Sequence, residues 1–360
     1  MSRKRWAVLG AGNGGQAFAA YLALQGLDIT IFDVFSETAA RLNEQGGIYI
    51  EGRSKVTGFG RILFASCDIE KTIEGAEVIL IVLPSMYHKS IAEQIAPFLK
   101  SGQIVIGNPI TPMGSMEFSN ALKAAGCQAD IVLAGTDTLL FACRLQEPGR
   151  VLVSGQKHDI TMAAYPATGN DALAQAVRDV LPEYRLVPDL LQVTFDNLNF
   201  EFHPGPTLLY TAMIEHETLQ FEYYHDFVPS QIRLIMAIDQ ERLALCERYG
   251  VEARDVATTF RDEYGYEGDL YQMVKHADCY NGIMGPKTMN NRFLMEDIPY
   301  SLRAIQSLAQ IAHIATPAID TVVNLAYILL GEQLDEGRTL QSLGLSAHTT
   351  VEDVIRMCRG

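Results

Sequence analysis

The sequence predicts an α/β chain: a doubly wound parallel sheet fills the N-terminal half and an all-α C-terminal domain follows. Three observations carry this. A short apolar strand at residues 5–10 (RWAVLG) runs directly into a glycine-rich turn and a helix. Strand-like and helical stretches then alternate to about residue 180, the pattern of parallel strands joined by helical crossovers. After about residue 190 strand signals vanish and long amphipathic helices take over. A chain of 360 residues is too long for one ordinary core. The segments flanking Pro182 and Pro188 put the boundary near 185–190, which gives domains at 1–187 and 188–360.

Taken in order, residues 5–10 read as a buried strand of a parallel sheet. Residues 13–26 read as a helix, with Ala17, Ala20, Tyr21 and Leu24 at helical spacing and Gly26 as its stop. Residues 28–33 (DITIFD) form a second strand and complete a βαβ unit. Strand-like runs recur at 78–83 (VILIVL), 103–107 (QIVIG) and 131–134 (IVLA), with helical patterns around 36–45, 88–99 and 115–125. A run at 150–154 (RVLVS) and a helix at 170–180 are expected to complete the sheet domain. Beyond it, Ser230–Tyr249 and Ile298–His313 are amphipathic helices and 337–360 is a short helical tail. The longest apolar stretch, Ile305–Leu330, is interrupted by Gln306, Gln310, His313, Pro317, Asp320 and Asn324. It therefore reads as packed core helices and not as a bilayer span.

Hydrophobic residues make up 48% and charged residues 20%, the balance of a globular protein. The net charge of −15 opposes binding to nucleic acid or to an anionic membrane surface. An anionic substrate would need local arginines to overcome that field. The six cysteines, at 67, 127, 143, 246, 279 and 358, form no CxxC pair and no metal-ligand spacing. No metal is expected, and scattered cysteines suit a reducing cytoplasm. Met1–Arg5 runs straight into a strand, so no signal peptide is read.

The first βα turn is Gly10-Ala11-Gly12-Asn13-Gly14-Gly15, which contains G-x-G-x-x-G. The pattern is weak alone. Here a buried strand precedes it, a helix follows, and Asp33 ends the next strand, so it reads as the dinucleotide-binding turn of a Rossmann domain. Gly10 permits the tight turn, Gly12 lets a pyrophosphate approach the backbone, and Gly15 lets helix and strand pack closely. The helix start at Asn13 and Gly14 offers unpaired N–H groups to phosphate. Asp33 can accept hydrogen bonds from a ribose 2′-hydroxyl and repels a 2′-phosphate. Val34, Phe35 and Ser36 supply no arginine, and Arg41 lies further on, inside the helix. NAD(H) is therefore expected, and NADP(H) is disfavoured. Pro84-Ser85 and Asn108-Pro109 end two strands and should border the nicotinamide, with Pro84 counted among the cofactor contacts. His88 reads better as a solvated histidine at a helix start than as a site residue.

In the second half, Asn199–Thr207 (NFEFHPGPT) holds His203 between aromatic residues and a rigid Pro-Gly-Pro turn. Hydride transfer usually needs a proton partner, and histidine titrates in the useful range. On the residues alone a buried structural histidine is the commoner outcome, and both readings stand. The segment Asn290–Asp297 (NNRFLMED) offers Arg292 as a bidentate clamp for a carboxylate and Asp297 as a partner able to orient a histidine. It reads equally as a solvated helical turn with an ordinary ion pair. Spacing cannot pair Asp297 with His203. Tyr280, in CYNGIMGP, lines a pocket or belongs to a core.

With these residues in hand, the chain resembles the opine dehydrogenase family, the octopine/nopaline dehydrogenases, and within it the bacterial carboxyethyl-norvaline type. The resemblance runs from Ala7 to about Leu345. It rests on AVLGAGNGGQAFAAYLAL, VILIVLPSMYHKSIAEQIA, NPITPMGSMEF, LLFACRLQEPG, HPGPTLL, NRFLMEDIPYSL and EGRTLQSLGLS. It implies an NAD(H)-dependent oxidoreductase that joins an amino acid's amine to a 2-oxo acid such as pyruvate and reduces the resulting imine. It puts the catalytic histidine on His203, its aspartate on Asp297 and the carboxylate-binding arginine on Arg292. Partners would be small molecules, and a homodimer is allowed. The chain departs from the family pattern at Gly135-Thr136, where relatives commonly carry Glu-Thr, and at NPITPMGS, stiffened by Pro112. Two alternatives remain. An NAD-dependent dehydrogenase of a hydroxy acid or related alcohol on the same scaffold would want a catalytic lysine, with Lys275 and Lys287 as its candidates. A cofactor-sensing scaffold would keep the glycine turn and have no need of His203 beside Asp297.

Overall fold

The computed structural model describes residues 4–216 and 218–360. The chain divides into two compact units, Met1–Val193 with Arg356–Gly360, and Thr194–Ile355.

The first unit is built on twelve strands: β1 (Arg5–Leu9), β2 (Asp28–Phe32), β3 (Gly47–Gly52), β4 (Gly58–Arg61), β5 (Phe64–Ser66), β6 (Val78–Ile81), β7 (Ile104–Gly107), β8 (Val132–Thr136), β9 (Phe141–Glu147), β10 (Arg150–Gln156), β11 (Ile160–Tyr165) and β12 (Tyr184–Leu186). Eight make one sheet, in the order β12-β11-β8-β7-β6-β1-β2-β5. Strand β1 lies between β2 and β6, parallel to both, with Trp6 opposite Ile29 and Val78. Chain order reverses at β1, so a ligand belongs beyond the carboxyl ends of β1 and β6. Among the described residues β11 and β12 run opposite to the other six strands, with β11 antiparallel to β8.

The remaining four strands form a second sheet, β4-β3-β10-β9. Helix α1 (Asn13–Leu24) lies among residues of both sheets: Phe18 and Tyr21 share one apolar core with Trp6, Ile29, Ile48 and Val151. A helix covered on all sides has no need of a polar face, which is why AFAAYLAL is apolar throughout. The approach is so close that a Cβ on Gly60 of β4 would stand 2.5 Å from the Ala20 carbonyl oxygen. The run at 150–154 therefore belongs to this second sheet, contrary to the expectation that it completes the parallel one.

The second unit is helical among its described residues, apart from one isolated bridge between Glu222 and Met284. The expected long helix appears as Pro229–Tyr249, closed by Gly250 at φ 66°. The stretch expected as one helix from Ile298 opens instead with a wider turn, Ile298–Leu302, where Pro299 cannot donate a backbone hydrogen bond. Regular helix then follows over Arg303–Ala312. Pro317–Leu330 starts on a proline, and the Glu241 carboxylate accepts the N–H groups of Ala318 (2.6 Å) and Ile319 (3.0 Å).

The domain division differs from the expected 187/188. The helix Leu190–Asp196 runs through the break at 193/194, and Pro188 precedes that helix. The last five residues count with the first unit, where the Arg359 guanidinium pairs with Asp189 at 2.9 Å. No described helix is long and apolar enough to cross a membrane.

Candidate active site

The glycine turn folds as its sequence demands. Gly10 sits at φ 105°, and a Cβ there would stand 2.5 Å from the Val82 carbonyl oxygen. A Cβ on Gly15 would lie 1.7 Å from the Gly10 carbonyl oxygen, so only glycine lets α1 leave β1 at this angle. At Gly12 a Cβ would meet nothing within 4 Å. The cradle is thus open at the residue that a pyrophosphate would approach, and no side chain caps the helix there. These features fit a dinucleotide phosphate. Gly14 instead packs, with Val82 and Leu139 near its Cβ position.

Asp33 also has a structural task. Its Oδ2 accepts the Ala11 N–H at 2.9 Å and its Oδ1 accepts the Phe35 N–H at 2.9 Å, which ties the end of β2 to the glycine turn. Arg41 is paired with Glu44 at 3.5 Å. The Asn13 side-chain oxygen accepts the Leu145 N–H at 2.9 Å, which ties the start of α1 to β9. Pro84 is exposed just past the end of β6. His88 does not have the solvated position expected of it. It is buried at the start of helix His88–Ile95, with Nε2 2.9 Å from the Leu83 carbonyl oxygen.

In the second unit, Pro204 breaks the helix Asn199–Phe202 and starts the next, Pro204–Leu209, leaving His203 at the junction. Its carbonyl oxygen accepts the hydroxyls of Thr207 (2.7 Å) and Tyr223 (2.8 Å), which fix the backbone. The imidazole Nδ1 lies 2.7 Å from Asp297 Oδ2, and both side chains are buried. The fold has brought together two groups 94 positions apart. Nδ1–H donates to the carboxylate, which leaves Nε2 as acceptor for the Tyr224 hydroxyl at 3.0 Å. Asp297 Oδ1 also accepts from Ser301 Oγ at 3.3 Å. The Phe293 ring stacks on the imidazole, centroids 4.2 Å apart.

Tyr280 stacks on Tyr224 with ring centroids 3.8 Å apart and planes 13° from parallel. Arg292 starts the short helix Arg292–Met295. Its side chain is 64% exposed, and its ion-pair partner among the described residues is Glu296, at 4.0 Å. Burial pushes the Tyr224 hydroxyl pKa well above the ordinary tyrosine range; the Arg292 charge pulls it down and Asp297 pushes it up. The guanidinium is therefore within electrostatic reach of that hydroxyl. Tyr224, Phe293 and Ser301 were not among the residues expected from sequence. The aromatic run Phe221–Phe227 (FEYYHDF) is the one signal that would have found Tyr224. No group of three or more His, Cys, Asp or Glu side chains among the described residues is arranged to hold a metal ion.

Comparison with known proteins identifies the family of the chain. The alpha-helical domain of the NAD/NADP octopine/nopaline dehydrogenases matches residues 186–330. The opine dehydrogenase of Arthrobacter sp. (strain 1C) is 35% identical over 349 residues, 96% of each chain. The chain belongs to the opine dehydrogenase family. It is accordingly an NAD-dependent oxidoreductase. The N-terminus of NAD-dependent glycerol-3-phosphate dehydrogenase matches residues 5–109. Structures of octopine dehydrogenase described with NADH and L-arginine, and with NADH and pyruvate, share the fold. Their TM-scores are 0.80 and 0.78, at 19% and 18% identity and 98% coverage of each chain. Yersinopine dehydrogenase described with NADP+ shares it at TM-score 0.73 and 17% identity, covering 99% of this chain and 98% of that one.

Proposed function

We propose that the chain joins the amine of an amino acid to a 2-oxo acid and reduces the imine to a secondary amine dicarboxylate, reversibly, with NAD(H). The observation that carries this reading is the buried His203–Asp297 pair at 2.7 Å. A bound nicotinamide supplies or takes the hydride. The chain's own residues handle protons and orientation. His203 acts as general acid and base for condensation of amine and ketone. Asp297 fixes the imidazole's tautomer and stabilises the imidazolium. Arg292, with its guanidinium largely exposed, holds a substrate carboxylate so that the reacting carbon is oriented. Tyr280 walls the site through its stack on Tyr224. Octopine dehydrogenase is described with L-arginine and with pyruvate, which supports an amino acid and a 2-oxo acid as the substrate classes here. We also infer that the protein resides in the cytoplasm, where six scattered cysteines, none of them in a disulfide, are at home.

The test is consumption of NADH in a matrix of amino acids against 2-oxo acids. Oxidation should need both partners. Pyruvate consuming NADH equally well with no amine present would overturn the proposal.

The coenzyme preference has its own test. Replacing Asp33 by serine is expected to weaken NADH roughly tenfold, about 1.4 kcal/mol, as a charge-assisted hydrogen bond is lost. The preference for NADH over NADPH should narrow with it. A parent enzyme using both coenzymes equally well would count against the role given to Asp33.

A further inference from the structure

We propose that the Tyr224 hydroxyl is the atom through which His203 exchanges its proton with the substrate. This rests on the reading of His203 as the acid–base group and adds a residue to it.

The argument begins with the two imidazole nitrogens. Nδ1 is held by Asp297 at 2.7 Å and Nε2 by the Tyr224 hydroxyl at 3.0 Å. Neither nitrogen faces outward from this pair of contacts. The ring is also held in its plane, with Phe293 stacked at 4.2 Å and Tyr223 edge-on at 6.5 Å. Its backbone carbonyl is fixed by Thr207 and Tyr223. A proton leaving Nε2 therefore meets the Tyr224 oxygen first. The Tyr224 ring is equally fixed, stacked on Tyr280 at 3.8 Å and edge-on to Tyr223 at 4.8 Å. A phenol oxygen can donate one hydrogen bond and accept others, and His203 is the hydrogen-bond partner of Tyr224 among the described residues. It keeps the capacity to contact substrate. The Arg292 charge, the expected anchor of the substrate carboxylate, acts on the same hydroxyl.

The step balances as follows. Amine and 2-oxo acid first add to give a carbinolamine. The Tyr224 O–H bond breaks toward the carbinolamine oxygen, which departs as water while the nitrogen lone pair forms the C=N bond. In the same event the tyrosyl oxygen takes the Nε2 proton of the His203 imidazolium. Imidazolium becomes imidazole, carbinolamine becomes iminium and water, and Tyr224 ends as it began. Burial keeps the phenol protonated, so it passes a proton on without storing a charge.

The test compares Tyr224→Phe, which keeps the ring and its stack, with His203→Asn, in full-length protein loaded with NADH. Turnover of Tyr224→Phe should fall by roughly 10²-fold, the scale of a lost general-acid contact. NADH affinity and the melting temperature should stay near the parent's. In single-turnover measurements in mixtures of H2O and D2O, the parent should show a bowed proton inventory, with two protons in transit. The double variant should be no slower than His203→Asn alone, because the two residues share one path. A linear inventory in the parent, or parental turnover in Tyr224→Phe, would overturn the relay. If His203→Asn is slow while Tyr224→Phe is not, the relay falls and the acid–base reading of His203 stands. Parental turnover in both variants removes the reading itself.

Discussion

Replacing His203 by alanine is expected to lower turnover by about 10²–10⁴-fold, the usual contribution of a positioned acid–base group, with NADH affinity near the parent's. The two effects separate because the glycine turn and Asp33 belong to the first unit and His203 to the second. Alanine also strips the Asp297 carboxylate of its 2.7 Å partner and leaves it buried with Ser301 at 3.3 Å, so a loss of stability should accompany the loss of rate. His203→Asn separates the causes: its amide can still donate to Asp297, yet it cannot shuttle a proton. If the asparagine variant melts like the parent and remains slow, the defect is chemical. Steady-state turnover together with NADH fluorescence titration measures both, and an alanine variant that turns over at the parental rate would remove His203 from the mechanism.

Much of the first unit is legible because its strands and glycines follow simple rules. The βαβ opening is read from an apolar run, a glycine turn and a carboxylate at the end of the next strand, and the structure has β1, α1 and β2 there. The second sheet is not legible in the same way. Strands β3 (GIYIEG) and β4 (GFGR) are rich in glycine, which suggests loop; Gly60 is there because α1 approaches so closely, while Gly47 lies against β4 and Gly52 against β10. Strand β9 (FACRLQE) buries its first residue and mixes exposed with half-buried positions after it, so its polar residues hide it. Both failures come from tertiary packing, which a local pattern does not contain.

The site divides along the same line. Gly10, Gly12, Gly15 and Asp33 are contiguous enough to be recognised from their spacing. His203 and Asp297 are each unremarkable alone and acquire meaning only from a contact between residues 94 positions apart. Family resemblance supplied that pairing where spacing did not. The aromatic shell was missed because Tyr223, Tyr224 and Phe293 look like ordinary core residues until the rings around the imidazole are seen. His88 shows the reverse error, since a polar residue at a helix start was given to solvent although the fold buries it.

Arg242→Met is expected to destabilise the protein by about 3–5 kcal/mol, the scale for breaking a buried ion pair by removing one partner. Arg242 is among the largest fully buried side chains. Its Nε donates to Glu201 Oε1 at 2.7 Å, its other nitrogens reach Asp239 and the carbonyl oxygens of Phe195 (3.2 Å) and Arg254 (2.7 Å), and Asp239 in turn holds the Val256 N–H at 2.9 Å. One cation thus gathers the helices Asn199–Phe202 and Pro229–Tyr249 and the start of Val256–Tyr264. Burial pushes the Glu201 carboxyl up to about 8 against the pull of that guanidinium, while Asp239 adds to the rise. A carboxyl whose folded pKa exceeds its unfolded one gives its stability fully below the unfolded value and loses it as pH rises through the folded one. Without Arg242 the downward pull is gone, so the loss on raising pH becomes steeper. The melting-temperature gap between parent and Arg242→Met should therefore be wider at pH 8.5 than at pH 5.5, and an equal or narrower gap at the higher pH would show that charge is not what this residue contributes. Glu201 stands two positions before His203 on the helix that ends at the imidazole, so turnover should fall along with stability even in variant protein that is fully folded at the assay temperature.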